Sequence, residues 1–128
     1  MAILGAFMVP HPPLIIPEVG NGSEKQVAKT IESYKIVAEE IAKIKPETII
    51  ISSPHAKYYS DYFYISGSEK VRGNFGNFGA SSVSFSEEID LELAEEIEKL
   101  AQEEDFPCGC IEDDVLDHGT MVPLYFIR

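Results

Sequence analysis

Apolar and polar positions divide the first part of the chain into three predicted elements. Residues Ile3 to Val9 form a continuous apolar run, and residues Thr48 to Ser52 form a second short run rich in β-branched side chains. Short runs without alternation are typical of strands that are buried on both faces of a sheet. Between the two runs, apolar residues recur every three or four positions, which predicts an amphipathic helix from about Glu24 to Ile44.

Local signals at both ends of this helix favour the assignment. Ser23 and Gln26 have the spacing of a capping box, and Pro46 ends the helical pattern. A strand, a helix and a second strand form a βαβ unit, whose crossover requires the two strands to be parallel within one sheet. The carboxyl ends of both predicted strands should therefore lie at the same edge of the sheet.

Further elements follow in the second part of the chain. Tyr62 to Ile65 predicts a third strand, and the Gly-, Asn- and Ser-rich stretch from Gly67 to Ser84 predicts a long surface loop. Ser86 is a candidate cap for a second helix, and Phe106 to Ile111 predicts another strand. The sequence thus indicates an α/β fold with a βαβ-containing mixed sheet flanked by helices, in one domain over residues 1–128.

The charge distribution limits the classes of partner. The chain has 128 residues and a net charge of -12, which argues against binding to nucleic acid or to an anionic membrane. Most of the acidic residues fall within 86–117, where Lys99 is the single basic residue. This segment is either the solvated face of a helix with an acidic loop or a surface for a basic partner.

The cysteine pattern indicates the compartment. Cys108 and Cys110 are separated by one residue, which suits neither a mutual disulfide nor a secreted disulfide scaffold. No stretch approaches the ~18 apolar residues that a membrane span requires. We therefore expect a protein of the reducing cytoplasm.

Two of the three histidines lie just beyond the predicted buried strands. His11 lies within the segment Pro10 to Pro13, and His55 follows Pro54. Ligands of open α/β sheets bind at the carboxyl ends of the strands, so the predicted βαβ unit brings both imidazoles to one edge. Neighbouring prolines restrict both loops, as a preorganised metal site requires. The alternative is that each histidine is a solvated loop residue.

The third histidine, His118, lies between Asp117 and Gly119, ahead of an apolar run. An imidazole titrates near neutral pH, so His118 is a candidate general acid or base. The adjacent glycine permits a tight turn or the close approach of a ligand. The alternative is a hydrophilic turn that precedes the last element.

Three segments around these histidines resemble the LigB-like class III extradiol ring-cleavage dioxygenases and the related Memo-like proteins. The segments are Met8-Val-Pro-His-Pro-Pro-Leu14, Ser52-Ser-Pro-His-Ala56 and Leu116-Asp-His-Gly-Thr-Met-Val-Pro-Leu124. The resemblance implies a non-haem Fe(II) enzyme that cleaves a catechol-type ring with O₂. It implies that His11 and His55 are metal ligands, with zinc as an alternative metal, and that His118 moves protons during ring opening.

The resemblance also implies that this chain corresponds to the N-terminal half of a larger three-layer domain. The glutamate that completes the family's 2-His-1-carboxylate triad has no matching position in this sequence, and neither Glu18, Asp61 nor Asp117 replaces it. We therefore expect little activity from the chain alone, and either self-association or a partner that supplies the other half. The alternative function is a Memo-like metal- or protein-binding module without dioxygenase activity.

Overall fold

A computed structural model describes residues 2–128, which form four α-helices and four β-strands. The helices are α1 (Pro17–Gly20), α2 (Ala28–Ile44), α3 (Leu91–Glu103) and α4 (His118–Ile127), and the strands are β1 (Phe63–Ser66), β2 (Lys70–Phe75), β3 (Ala80–Glu88) and β4 (Cys108–Ile111). Short 3₁₀ turns occur at Pro13–Ile15, Ser23–Val27 and Gly76–Phe78. None of the helices in residues 2–128 is long and apolar enough to cross a membrane.

The strands form two small sheets. β1 pairs in parallel with β4, with Phe63 opposite Cys108, and α3 lies between them in the chain and packs on β4. β2 and β3 form an antiparallel hairpin in which Gly73 lies opposite Phe85. Parallel and antiparallel pairs combined with helices confirm the predicted α/β fold class. The predicted strands at Tyr62 to Ile65 and Phe106 to Ile111 are also confirmed, each within two residues.

One hydrophobic core joins the proline-rich loop, α2, the hairpin and α4. The Tyr34 ring of α2 stacks on the Phe126 ring of α4, with 4.4 Å between the ring centroids. Burial of these apolar side chains supplies most of the stabilising free energy at the centre of the molecule. The fully or nearly fully buried members of this core are Ile15, Ile16, Tyr34, Phe75, Ala80, Phe85, Met121 and Val122.

The two predicted buried strands are wrong. Residues 3–9 and 48–52 are not in strands, and none of their backbone groups forms a backbone hydrogen bond with another residue in 2–128. Ile3 is 92% exposed and Ile50 is 73% exposed. An apolar run becomes a buried strand only when a neighbouring strand pairs with its backbone and a second layer covers its side chains. The described residues provide neither a paired strand nor a covering layer for these two segments.

Three further predictions differ from the structure. The helix starts later than predicted, because residues 23–27 form a 3₁₀ turn and Ser23 makes no capping hydrogen bond. The predicted loop from Gly67 to Ser84 is largely the β2–β3 hairpin. Ser86 lies within β3, and Asp90 caps α3 by accepting a hydrogen bond from the Leu93 N–H. Helix caps require a free side-chain oxygen at the right backbone geometry, which spacing alone does not guarantee.

Candidate metal centre

The three histidines converge at one place although they lie far apart in the chain. The Nε2 atoms of His11 and His55 are 2.9 Å apart, and the ring centroids of His55 and His118 are 4.1 Å apart. One ring nitrogen from each histidine lies within 4.8 Å of those of the other two. His55 is exposed, whereas the other two rings are partly buried. The cluster therefore opens to solvent on the His55 side.

The proline-rich loop that carries His11 is anchored to the core. The Tyr34 hydroxyl donates a hydrogen bond to the carbonyl oxygen of Pro10, one residue before the histidine. Burial raises the pKa of Tyr34 to about 12, so the phenol keeps its proton and remains a donor at neutral pH. Because the Tyr34 ring stacks on α4, the position of His11 depends on the packing of two helices.

Asp117 connects the loop of His55 to the helix that begins at His118. One carboxylate oxygen accepts hydrogen bonds from the Ser53 hydroxyl and from the Gly119 N–H, and it caps the first turn of α4. The other oxygen accepts the Thr120 hydroxyl at 3.0 Å. The Ser53 oxygen in turn accepts the His55 N–H at 3.2 Å. A single carboxylate thus fixes two of the three histidines relative to each other.

Gly119 allows Ser53, Asp117 and His55 to lie close together around the start of α4. A Cβ atom at this position would collide with the Ser53 hydroxyl, would lie 2.9 Å from Oδ1 of Asp117 and would lie 3.3 Å from Cδ2 of His55. Real side-chain carbons do not tolerate such contacts unless the neighbours move. The sequence predicted a tight turn or the close approach of a ligand at Gly119, whereas the groups that approach it in the structure are those of Ser53, Asp117 and His55.

The surroundings of His118 favour its neutral form. Partial burial lowers the pKa of His118, the neighbouring His55 and His11 lower it further, and Asp117 opposes these effects. A neutral imidazole can bind a metal or accept a proton through its unprotonated nitrogen. The Phe78 ring meets His118 edge-on, with 5.3 Å between the centroids.

The donor set fits a transition metal. Two ligands about 2.1 Å from one ion and about 90° apart are about 3 Å from each other, which matches the His11–His55 separation. Imidazole nitrogens suit iron, zinc and copper. Among the residues that the structure describes, no carboxylate shares this histidine group. Glu18 instead accepts a hydrogen bond from Tyr125, and both oxygens of Asp117 are already engaged.

The convergence of His11 and His55 was predicted from the sequence, although the route to it differs. The prediction relied on a parallel strand pair that does not form, whereas the structure holds the two loops through Tyr34 and Ser53. Neither anchor was predicted. The sequence does contain a signal for Asp117, since Asp is a preferred N-cap residue immediately before a helix. Nothing local to Ser53 indicates its long-range partner.

Comparisons with known proteins agree with the motifs. The chain matches the family described as the catalytic LigB subunit of aromatic ring-opening dioxygenase over residues 5–128. It is similar to protein CA_C1420 from Clostridium acetobutylicum, with 39% identity over 137 aligned positions that cover 100% of this chain and 29% of the relative. The chain therefore spans less than a third of that relative's length. No solved structure matches the chain. Because the family match includes nearly every residue, the chain belongs to the family of the catalytic LigB subunit of aromatic ring-opening dioxygenase.

Proposed function

We propose that this chain provides the histidine side of a metal centre in an aromatic ring-opening dioxygenase. His11 and His55 are the proposed metal ligands, and His118 is the proposed proton carrier. The observation that supports this assignment is the convergence of the three rings, with ligand nitrogens within 4.8 Å, in a chain of this family. Fe(II) is the proposed metal, because two imidazoles and one carboxylate are the ligand set of non-haem iron oxygenases.

The residues of the site have separate roles, which follow from their positions. The bound iron would supply the redox chemistry through which O₂ opens an aromatic ring. His11 and His55 hold and orient it, and the Asp117–Ser53 link fixes the direction of the His55 loop. The unprotonated nitrogen of His118 accepts the hydroxyl proton of a catechol-type substrate and later returns it. Its lowered pKa keeps that nitrogen free to accept a proton at neutral pH.

The complete site requires a carboxylate from outside the described residues. In support, no Asp or Glu in residues 2–128 joins the histidine group, and two apolar segments that lead to His11 and His55 are exposed. We propose that a further polypeptide segment or a partner chain covers these segments and provides the carboxylate. Light scattering should then reveal self-association of the chain alone at micromolar concentration, and a clean monomer would count against this part of the proposal.

Metal titration tests the assignment of the histidines. Under anaerobic conditions, Fe(II) binding should weaken at least tenfold in His11→Ala and in His55→Ala, because each variant removes one of two ligands. His118→Ala should retain the metal. Asp61→Asn is a matched control, since Asp61 lies near the motifs and outside the histidine group. If His118→Ala lost the metal as completely as the other two, His118 would be a ligand and the proton role would be wrong.

Activity separates the two candidate functions. The chain alone, loaded with Fe(II) and supplied with catechol and O₂, should produce no ring-cleavage absorbance, because the third ligand is missing. The protein that includes the covering segment should produce it, and His118→Ala should slow it by about 10²-fold. If the loaded protein bound metal and opened no catechol, a metal- or protein-binding module of the Memo-like kind would be the better assignment.

A further inference from the structure

Exposed aromatic side chains cluster at the amino ends of strands β1 and β4. Phe63 begins β1 and is 65% exposed, and Phe106, two residues before β4, is 50% exposed. Their rings stack with 5.3 Å between the centroids. Tyr62 and Phe106 line one open cavity of about 320 Å³, and the Tyr62 ring meets the Tyr59 ring edge-on at 6.1 Å. Tyr59, Tyr62, Phe63 and Phe106 thus form one surface, the aromatic patch.

The aromatic patch lies away from the histidine cluster. Because β1 and β4 are parallel, their amino ends lie at one end of the small sheet and their carboxyl ends at the other. Phe106 precedes the amino end of β4, whereas His118 follows its carboxyl end. β4 has 4 residues, so about 10 Å separates its two ends at about 3.3 Å per residue. The metal centre therefore does not account for the exposure of Phe63 and Phe106.

Uncompensated carboxylates accompany the aromatic patch. Those next to it in sequence are Asp61, Glu103, Glu104 and Asp105. All four residues are exposed, and none forms an ion pair with any residue in 2–128. An apolar partner would remove water from these charges without replacing it, and a second copy of this anionic chain would bring like charges together. The carboxylates therefore favour a basic partner.

The backbone at the end of α3 holds one carboxylate and one ring in place. The Phe106 N–H donates to the Ala101 carbonyl at 2.7 Å, and the Asp105 N–H donates to the Gln102 carbonyl at 3.2 Å, as in a Schellman turn. Asp105 has a positive φ of 53°, where glycine is the usual residue. The aspartate instead adds a carboxylate to the wall of the cavity. Groups that are fixed before binding lower the entropic cost of docking.

We infer that the aromatic patch docks an arginine-containing segment of a partner protein, with a guanidinium held by the Tyr62 and Phe106 rings and by the Asp105 carboxylate. A guanidinium stacks on aromatic faces and pairs with a carboxylate through two parallel hydrogen bonds, so one side chain matches both kinds of group in the cavity. Lysine offers only a point charge on a flexible chain. The inference concerns a surface away from the metal centre and does not depend on the proposed function.

Three synthetic peptides of equal length test this inference. One alternates glycine with arginine, and the others carry lysine or glutamine in place of arginine. Each is titrated into the protein in about 0.15 M NaCl, which screens general attraction to an anionic surface. Binding is followed by NMR chemical shifts of the patch residues. The arginine peptide should bind about tenfold more tightly than the lysine peptide, and the glutamine peptide should not bind.

Two variants and a matched control locate the binding site. Asp105→Gly removes the carboxylate and places glycine at a positive φ, so it should weaken the arginine peptide about tenfold without lowering the thermal unfolding midpoint. Phe106→Ser should weaken that peptide by a similar factor, because it removes the ring. Glu32→Gln removes the same unit of charge from an exposed position on α2 and should leave binding unchanged.

Four outcomes would overturn the inference. Absence of binding by the arginine peptide would do so directly. Equal binding of the arginine and lysine peptides, or equal weakening in Asp105→Gly and Glu32→Gln, would show general charge attraction. If Phe106→Ser abolished self-association measured by light scattering and left peptide binding unchanged, the patch would bind a second copy of the chain. If the protein that includes the covering segment no longer bound the arginine peptide, the same polypeptide would cover the patch.

Discussion

The histidine loops are adjacent in sequence to the apolar segments that precede them, but the loops are anchored by hydrogen bonds and the apolar segments are not. His11 and His55 lie in loops that are held by Tyr34, Ser53 and, through Ser53, Asp117. Residues 3–9 and 48–52, immediately upstream, form no backbone hydrogen bond with any other described residue and expose apolar side chains. The site geometry is therefore maintained by specific polar contacts rather than by a sheet beneath it. Hydrogen-bonded anchors can fix a site locally where secondary structure does not.

Loss of the Asp117 carboxylate should produce the largest effect, because it removes the shared acceptor that links the His55 loop to the start of α4. Asp117→Ala leaves the α4 cap empty and the Ser53 and Thr120 hydroxyls without their acceptor. We expect a loss of about 3 kcal/mol in the free energy of unfolding, from the cap and the unpaired hydroxyls together. Urea denaturation measures it. A loss below about 0.5 kcal/mol would show that the network does not hold the fold.

A methyl group at Gly119 should disturb the site by crowding. In Gly119→Ala, the new carbon would collide with Ser53 and press on His55, so the His55 loop must move away from the start of α4. Destabilisation of about 1–3 kcal/mol is expected from overpacking, with weaker metal binding. Thermal unfolding and Fe(II) titration measure the two effects. Gly79→Ala provides a contrast, because a Cβ there meets open space and the change acts through the positive φ of 80° alone.

Substitutions at Ser53 and at Thr120 distinguish the hydrogen bonds that position the metal site from those that stabilise helix α4. Ser53→Ala removes the link between Asp117 and the His55 loop and retains the cap of α4. It should weaken metal binding about tenfold, as loss of an outer-shell contact usually does. Thr120→Val also removes a hydrogen bond to Asp117, but no contact with His55 depends on it. If both variants weakened metal binding equally, Ser53 would have no specific positioning role.

The exposed apolar segments should tolerate polar replacements that a buried strand would not. Ile50→Ser should change the free energy of unfolding of the chain alone by less than about 0.5 kcal/mol, since Ile50 is 73% exposed. The same variant should reduce self-association measured by light scattering, because it removes exposed apolar surface. A loss of several kcal/mol would indicate that this segment is buried in solution and would remove the contrast with the histidine loops.

The smallest expected effect concerns a polar contact at the start of the second apolar segment. The Thr48 hydroxyl and the Leu93 N–H donate to Asp90, and these hydrogen bonds, the Thr48 bond first, lower the pKa of that carboxyl. Because the folded-state pKa lies below the unfolded one, the stabilisation is present above about pH 4 and is lost as the pH falls through the folded value. NMR titration of Asp90 measures it. Thr48→Val should raise the titration midpoint of Asp90. An unchanged midpoint would show that the Thr48 hydrogen bond does not cause the lowered pKa.

Sequence patterns predicted the parts of this molecule whose structure depends on residues that are close together in the chain. The 3.6-residue periodicity located α2, and proline next to histidine located the His11 and His55 loops. The β2–β3 hairpin was missed because its glycines, asparagines and serines resemble a loop, although Val71, Gly73 and Phe75 alternate inward. Strand formation at residues 3–9 depends on a pairing partner, and the Ser53–Asp117 link spans 64 residues. Neither is encoded by neighbouring positions.

The separation of the site residues along the chain also constrains how the protein folds. The pair His11–His55 closes a span of 44 residues, and Ser53–Asp117 closes one of 64. Closing long spans costs entropy before any contact compensates for it, so structures built on distant contacts form slowly. The backbone hydrogen bonds of helix α2 are local, so the helix can form on a microsecond timescale. During synthesis, the histidine cluster can assemble only after His118 has emerged from the ribosome, later than the His11 and His55 loops.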